Sequence, residues 1–202
     1  GRKPRQVLWN LTKSAWEENT NSKNSINHWS LSSNGSACLN SSEGILKLNK
    51  NGNGSINIVH DPWRPVPAIG GHLSPNPGEV DRNELDMRSD IAIFNSSKID
   101  EDLHLEGTPI LALTANADKE GFDLCIAISI FEPHLNKATQ ISTGFLRVLG
   151  KEAKEPLKRQ VICQPMLADL YKNQRLRVSI AGSAWPAIGI NPGDPKIPCG
   201  HS

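Results

Sequence analysis

Long apolar runs, an excess charge of either sign and clustered cysteines are all missing from this 202-residue sequence. No apolar run reaches the roughly 18 residues that a membrane-spanning helix needs, so we expect no contact with a membrane. The 22 basic and 21 acidic residues are evenly spread, and a surface for nucleic acid is therefore not expected. The sequence opens with neither an initiator methionine nor the apolar core of a signal peptide, as expected for the interior of a longer protein or for a processed chain.

The four cysteines are too few and too far apart for a disulfide scaffold. They are Cys38, Cys125, Cys163 and Cys199, and no C-x-x-C motif occurs. Cys125 and Cys163 lie within apolar, strand-like segments. We therefore expect small buried side chains in a reduced, cytoplasmic protein.

Familiar catalytic and ligand-binding motifs are also missing. The sequence contains no G-x-S-x-G, no H-E-x-x-H, no P-loop and no G-x-G-x-x-G. The histidines form no i,i+4 pair; they are His28, His60, His72, His104, His134 and His201. We therefore predict no catalytic residue, no metal ligand, no cofactor-binding residue and no cofactor.

Alternating apolar residues dominate what remains. Residues 89–113, SDIAIFNSSKIDEDLHLEGTPILAL, predict three strands without an intervening helix. Similar patterns predict further strands at 6–9, 28–31, 37–40, 44–48, 55–60, 122–131, 140–149, 160–166 and 175–181. A loop is expected at 11–27, a charged link at 151–159, and a short helix or turn at 167–173. Many short strands with frequent turns indicate an all-β domain, either a β-sandwich or a jelly roll.

Five tryptophans stand out in a chain with one tyrosine. Trp9 and Trp29 lie in predicted strands, which favours core packing. Trp16, Trp63 and Trp185 lie in predicted loops, where a large ring either closes one end of the sandwich or faces a partner. Trp63 belongs to residues 61–78, which hold five prolines and are therefore predicted to be a functional or covering loop.

The order of several motifs resembles the C-terminal domain of X-prolyl dipeptidyl aminopeptidases and of related acyl esterases, such as cocaine esterase and the α-amino acid ester hydrolases. Residues 65–71 (PVPAIGG) are similar to the family's P-x-P-x-x-G-G loop, and residues 88–109 to its R-x-D-V block. Residues 141–147 (ISTGFLR) and 173–193 are similar to its x-T-x-G-x-L-R strand and its N-P ending. Residues 130–134 depart from the family's D-V-x-P-D-G turn, and its last strand has no match.

The resemblance implies a single jelly-roll domain at 1–202, like a galactose-binding module and C-terminal in a larger hydrolase. In the family this domain packs against an α/β-hydrolase domain of the same polypeptide, which holds a Ser-Asp-His triad. No triad residue has a match here. The resemblance thus predicts a non-catalytic domain that braces the hydrolase domain and shapes substrate access. Whether the full-length enzyme is a homo-oligomer is left open.

Two alternatives stay open. A carbohydrate-binding module would use Trp16, Trp63 or Trp185 as a platform for sugars, because a jelly roll by itself does not decide function. A complete small enzyme would need a site scattered along the chain. The substrate of the parent enzyme, ester or X-Pro peptide, is not determined by these residues.

Overall fold

A computed structural model describes residues 7–18, 26–71 and 74–198. Cys199, His72 and His201 lie outside these residues, as does the first residue of the strand predicted at 6–9. No helix in the described part is long and apolar enough to cross a membrane.

Within the described residues the chain is almost entirely β-structure. The strands are β1 (Val7–Asn10), β2 (Ala15–Glu18), β3 (Trp29–Ser32), β4 (Ile45–Leu48), β5 (Ile91–Ser96), β6 (Leu103–Gly107), β7 (Ile110–Ala115), β8 (Gly121–Glu132), β9 (Lys137–Leu149), β10 (Leu157–Ile162), β11 (Met166–Leu170) and β12 (Arg175–Ala181). A one-turn helix, α1 (Asn83–Asp86), precedes β5, and a 3-10 helix (Lys151–Lys154) follows β9.

One large sheet carries the fold. Its six strands lie in the order β3-β4-β5-β12-β8-β9, and three two-stranded ladders accompany it: β1-β2, β6-β11 and β7-β10. Every pairing between two of the described strands is antiparallel except the short β4-β5 contact. The two longest strands, β8 and β9, form a hairpin at one edge of the large sheet.

The main core lies between this sheet and the smaller ladders. Ile126 and Ile128 of β8 and Val178 of β12 point to one side, where they meet Leu105 of β6 and Leu170 of β11. Each such side chain contributes roughly 1.5–3 kcal/mol when it is buried. The all-β sandwich is therefore confirmed, whereas the jelly-roll connectivity stays a prediction.

The opposite face of the large sheet, called the outer face here, is covered as well. Ile91, Ile93, Cys125 and Ala181 form a second apolar cluster on it with Val66. Val66 belongs to the proline-rich segment, which lies over the sheet as the sequence predicts of a covering loop. Because both faces are covered, β8 and β12 are buried along almost their whole length.

Two predicted strands are wrong. Residues 37–39 form a turn, in which the Leu39 amide donates to the Ser36 carbonyl at 2.8 Å. Residues 55–60 adopt no regular secondary structure and pair with no strand. Ile56 and Ile58 still pack against the core. The alternating pattern therefore reflects the burial of these side chains, although their backbone pairs with no strand.

Two strands occur where none was expected. β2 lies inside the predicted loop at 11–27, and β11 lies where a helix or turn was predicted at 167–173. β11 pairs with β6 over its whole length, so this pairing overrides the helical propensity of its Met, Leu and Ala residues. β10 also begins at Leu157, within the predicted charged link.

Candidate functional site

A cleft of about 380 Å³ opens between the outer face and the two segments that cover it. Residues 66–70 form one wall, residues 183–188 contribute to another, and Cys125, Ala127 and Phe145 of β8 and β9 line the floor. These lining side chains are small or apolar. The cleft therefore suits an apolar group better than an ion.

The polar side chains of the cleft are already paired. Arg82 Nη1 donates to Gln140 Oε1 at 2.6 Å, and Gln140 Nε2 donates to the Ile69 carbonyl at 3.0 Å. The Ser183 hydroxyl accepts a 2.8 Å hydrogen bond from the Val66 amide. These bonds hold the cleft walls in place and leave little polar capacity for a ligand.

A buried charge network supports the first wall from beneath. Arg177 Nη1 lies 3.0 Å from Asn83 Oδ1 and 3.4 Å from Asp86 Oδ2, and its guanidinium lies 3.9 Å from the centre of the Phe131 ring. Arg82 Nε donates to the other Asp86 oxygen at 2.8 Å. Burial lowers the pKa of Arg177, and the neighbouring Asp86 carboxylate opposes this effect. An arginine stays protonated in proteins, so Asp86 holds two cations.

A second network fixes the other wall. Arg147 forms a bidentate pair with Asp123, at 2.9 and 2.7 Å, and also donates to the Gly189 carbonyl. Asn191 Nδ2 donates to Asp123 at 2.9 Å. The segment after β12 is thereby tied to β8 and β9.

Two of the three candidate tryptophans lie on this side of the molecule. Trp185 exchanges backbone hydrogen bonds with Val66 and Ala68, at 2.9 and 2.7 Å, and its side chain is 49% exposed. Trp63 lies three residues before Val66 and is 78% exposed. Neither ring is among the residues that line the cleft, but Trp185 lies within the segment 183–188 and Trp63 lies just before the wall at 66–70.

Trp16 lies elsewhere, and its predicted loop is wrong. It belongs to β2 and pairs with Trp9 across the β1-β2 hairpin, with ring centres 5.4 Å apart in an edge-to-face arrangement. The hairpin lies beside β11, where the Leu11 amide donates to the Leu167 carbonyl. Trp9 is 42% exposed, so its predicted core position is wrong, whereas Trp29 packs against the core as predicted.

A histidine–carboxylate pair was missed by the sequence reasoning. His104 Nδ1 lies 2.6 Å from Asp169 Oδ1, because β6 and β11 place the two residues opposite each other. No serine, threonine or cysteine among the described residues hydrogen-bonds to His104, and the described part holds no group of three metal-ligating side chains. The pair therefore lacks the nucleophile that a catalytic dyad serves.

Cys125 and Cys163, the two cysteines in predicted strands, are buried and free, as predicted. Burial raises the pKa of Cys163 to about 11, and burial together with the Asp123 charge raises the pKa of Cys125. Both thiols are therefore protonated near neutral pH and unsuited to act as nucleophiles.

Comparison with known proteins supplies the family context. The sequence matches the family of the X-Pro dipeptidyl-peptidase C-terminal non-catalytic domain over residues 1–202. No match is found among curated proteins.

Two solved structures share the fold. An aminopeptidase from a marine sediment Thaumarchaeota archaeon superposes with a TM-score of 0.70 at 16% identity, over 96% of this chain and 35% of its own. A selenomethionine-labelled α-amino acid ester hydrolase superposes with a TM-score of 0.73 at 18% identity, over 96% of this chain and 36% of its own. The chain thus spans about a third of the length of each relative.

Proposed function

We propose a bracing and access-shaping role for this chain, which belongs to the family of X-Pro dipeptidyl-peptidase C-terminal non-catalytic domains. Residues 1–202 would act as one domain of a larger serine hydrolase, next to a hydrolase domain in the same polypeptide. That hydrolase domain would cleave an acyl or X-prolyl substrate through an acyl-enzyme intermediate. No residue of this chain takes part in the chemistry.

The observation that supports this role most directly is the cleft between residues 66–70 and 183–188. Its walls are pinned by the networks around Asp86 and Asp123, and its lining is largely apolar. Trp185 lies within one of these segments and Trp63 lies three residues before the other, and both leave large aromatic surfaces exposed. A rigid apolar rim of this kind excludes water and selects the shape of an approaching acyl or peptidyl group.

Kinetics of the full-length polypeptide test the proposal. Trp185→Ala and Trp63→Ala should change kcat/KM for a bulky acyl substrate about tenfold more than for acetate esters, because the rim contacts only the larger group. Leu135→Ala is the matched control, since Leu135 is 67% exposed in the turn between β8 and β9. If the tryptophan variants and Leu135→Ala gave the same ratio of kcat/KM between the bulky substrate and the acetate esters, the access role would be refuted.

A carbohydrate-binding role is the second candidate. It is supported by the exposure of Trp63 and Trp185 on one side of a β-sandwich, because flat aromatic surfaces can stack against sugar rings. Glycan-array binding that is lost in both Trp→Ala variants and kept in Leu135→Ala would favour this role over the first.

The proposed compartment is the cytoplasm. The support is the pair of buried free thiols, Cys125 and Cys163, which a reducing compartment preserves. Mass spectrometry of the protein isolated under thiol-blocking conditions tests this, and a disulfide at either residue would contradict it.

A further inference from the structure

The β1-β2 hairpin has two chemically different faces. Its register pairs Trp9 with Trp16 and Asn10 with Ala15, and neighbouring residues on a strand point to opposite faces. Asn10 and Glu17 lie on the face directed at the body of the domain. Trp9, Trp16 and Val7 lie on the other, which we call the aromatic face.

The inward face is firmly attached. Asn10, with 0% exposure, donates to Asp169 Oδ2 at 2.9 Å and to Glu17 Oε2 at 3.0 Å. Lys13 Nζ bridges the same two carboxylates, at 3.1 and 2.9 Å. Thr12 exchanges hydrogen bonds with the backbone of Asp169, at 3.1 and 2.9 Å. An isolated two-stranded hairpin is marginally stable in water, so these bonds give it a fixed position.

The aromatic face is left open to solvent. Trp16 is 68% exposed, Trp9 is half exposed, and Val7 adds apolar surface beside them. Two tryptophans at these exposures present about 200 Å² of aromatic surface in one place. Two charged side chains of the hairpin, Lys13 and Glu17, pair with each other, and Lys13 also pairs with Asp169. An apolar centre with polar groups at its margin is the anatomy of a protein interface, and tryptophan is enriched among the residues that dominate such interfaces.

The family order of domains indicates what covers this face. In a C-terminal domain the rest of the polypeptide precedes it, and β1 is the first strand of the described chain. The similar solved proteins are about three times as long as this chain. The hairpin is therefore the described element nearest in sequence to the preceding part.

We propose that the aromatic face of the β1-β2 hairpin binds the preceding hydrolase domain of the same polypeptide, with Trp16 at the centre of the contact. This inference rests on the proposed function, because it takes the part of the polypeptide that precedes this domain to be a hydrolase domain. It is independent of the cleft, because the hairpin lies beside β11, on the other side of the large sheet from Trp63 and Trp185.

Hydroxyl-radical footprinting of the full-length polypeptide tests this contact without an activity assay. Oxidation of Trp16 and Trp9 is measured in the native protein and in guanidinium, and light scattering reports the oligomeric state of the same sample. Leu135, an exposed side chain of the β8-β9 turn, is the internal reference. We expect native Trp16 to be oxidised about tenfold more slowly than unfolded Trp16, since the centre of an interface excludes water, and Leu135 to be oxidised at nearly equal rates.

Three outcomes are distinguishable. Protection of Trp16 in a monomer supports the proposal. Oxidation near the unfolded rate overturns it, and so does protection that appears only in dimers, which would assign the face to a second copy. Failure of the access role would instead appear in the kinetics of the Trp63 and Trp185 variants and would leave the protection of Trp16 unchanged.

Discussion

Asn10 Nδ2 donates a 2.9 Å hydrogen bond to Asp169 Oδ2, although 159 residues separate the two along the chain. Replacing Asp169 with alanine leaves the buried Asn10 amide with fewer partners and removes an anion next to Lys13. We expect a loss of about 2–3 kcal/mol of unfolding free energy, because an unsatisfied buried donor retains its full desolvation cost. Urea titration measures this. Asp100→Ala, an exposed control, should change little, and equal midpoints for the two variants would contradict the account.

The same carboxylate should make stability depend on pH. Burial by itself would raise the pKa of Asp169, but hydrogen bonds from His104, Asn10 and Lys13 outweigh it and hold the pKa below its usual value. The stabilisation is then complete above the unfolded value of about 3.9 and is lost as the pH falls through the lower folded value.

Asp169→Asn isolates this effect, because asparagine keeps the shape but does not titrate. We expect the difference in unfolding free energy between the native protein and this variant to be constant from pH 7 to about 5 and to shrink below about 4. A difference that stays constant to pH 2 would show that Asp169 does not carry the effect.

Removal of Asp86 should be more costly than removal of any exposed carboxylate. It is fully buried between Arg82 and Arg177, so Asp86→Ala leaves two guanidinium groups without their shared counter-ion. Breaking a buried ion pair in this way costs about 3–5 kcal/mol. Thermal and urea unfolding measure the loss against Asp118→Ala, an exposed control. A loss below that of Asp169→Ala would argue against a central role for this network.

Thiol labelling should separate the cysteines. With a pKa near 11, about one in a thousand Cys163 thiols is ionised at pH 8, and burial also hinders reagent access. We expect Ellman's reagent to leave Cys125 and Cys163 unmodified in the native protein and to modify both in guanidinium, as read by peptide mapping. Half-buried Cys38 should be modified faster than either. Rapid native labelling of Cys163 would contradict its place in the core.

The long strands could be predicted from the sequence, because their runs of apolar side chains correspond to the buried positions of the large sheet. β8, β9 and β12 follow from runs of β-branched residues. β2 and β11 could not be predicted in this way. Trp16 becomes a strand residue by pairing with Trp9 across residues 11–14, which contain neither glycine nor proline, and β11 depends on its pairing with β6.

The cleft could not be predicted from the sequence either, because it too depends on contacts between distant segments. Its walls come from segments more than a hundred residues apart, and the contacts that position them join Arg147 to Asp123 and Arg177 to Asp86. Charges along the sequence show neither their burial nor their partners. Trp63 and Trp185 could be proposed as exposed candidates, because each lies beside proline in a segment that cannot form a central strand.

Cross-linking at the active site tests the access-shaping role most directly. A serine-reactive phosphonate that carries a photoreactive acyl arm would first modify the nucleophile of the full-length hydrolase and then, on illumination, attach to whatever surrounds the acyl group. We expect attachment within residues 61–71 or 183–188 of this chain. Attachment confined to the preceding part of the polypeptide would contradict it.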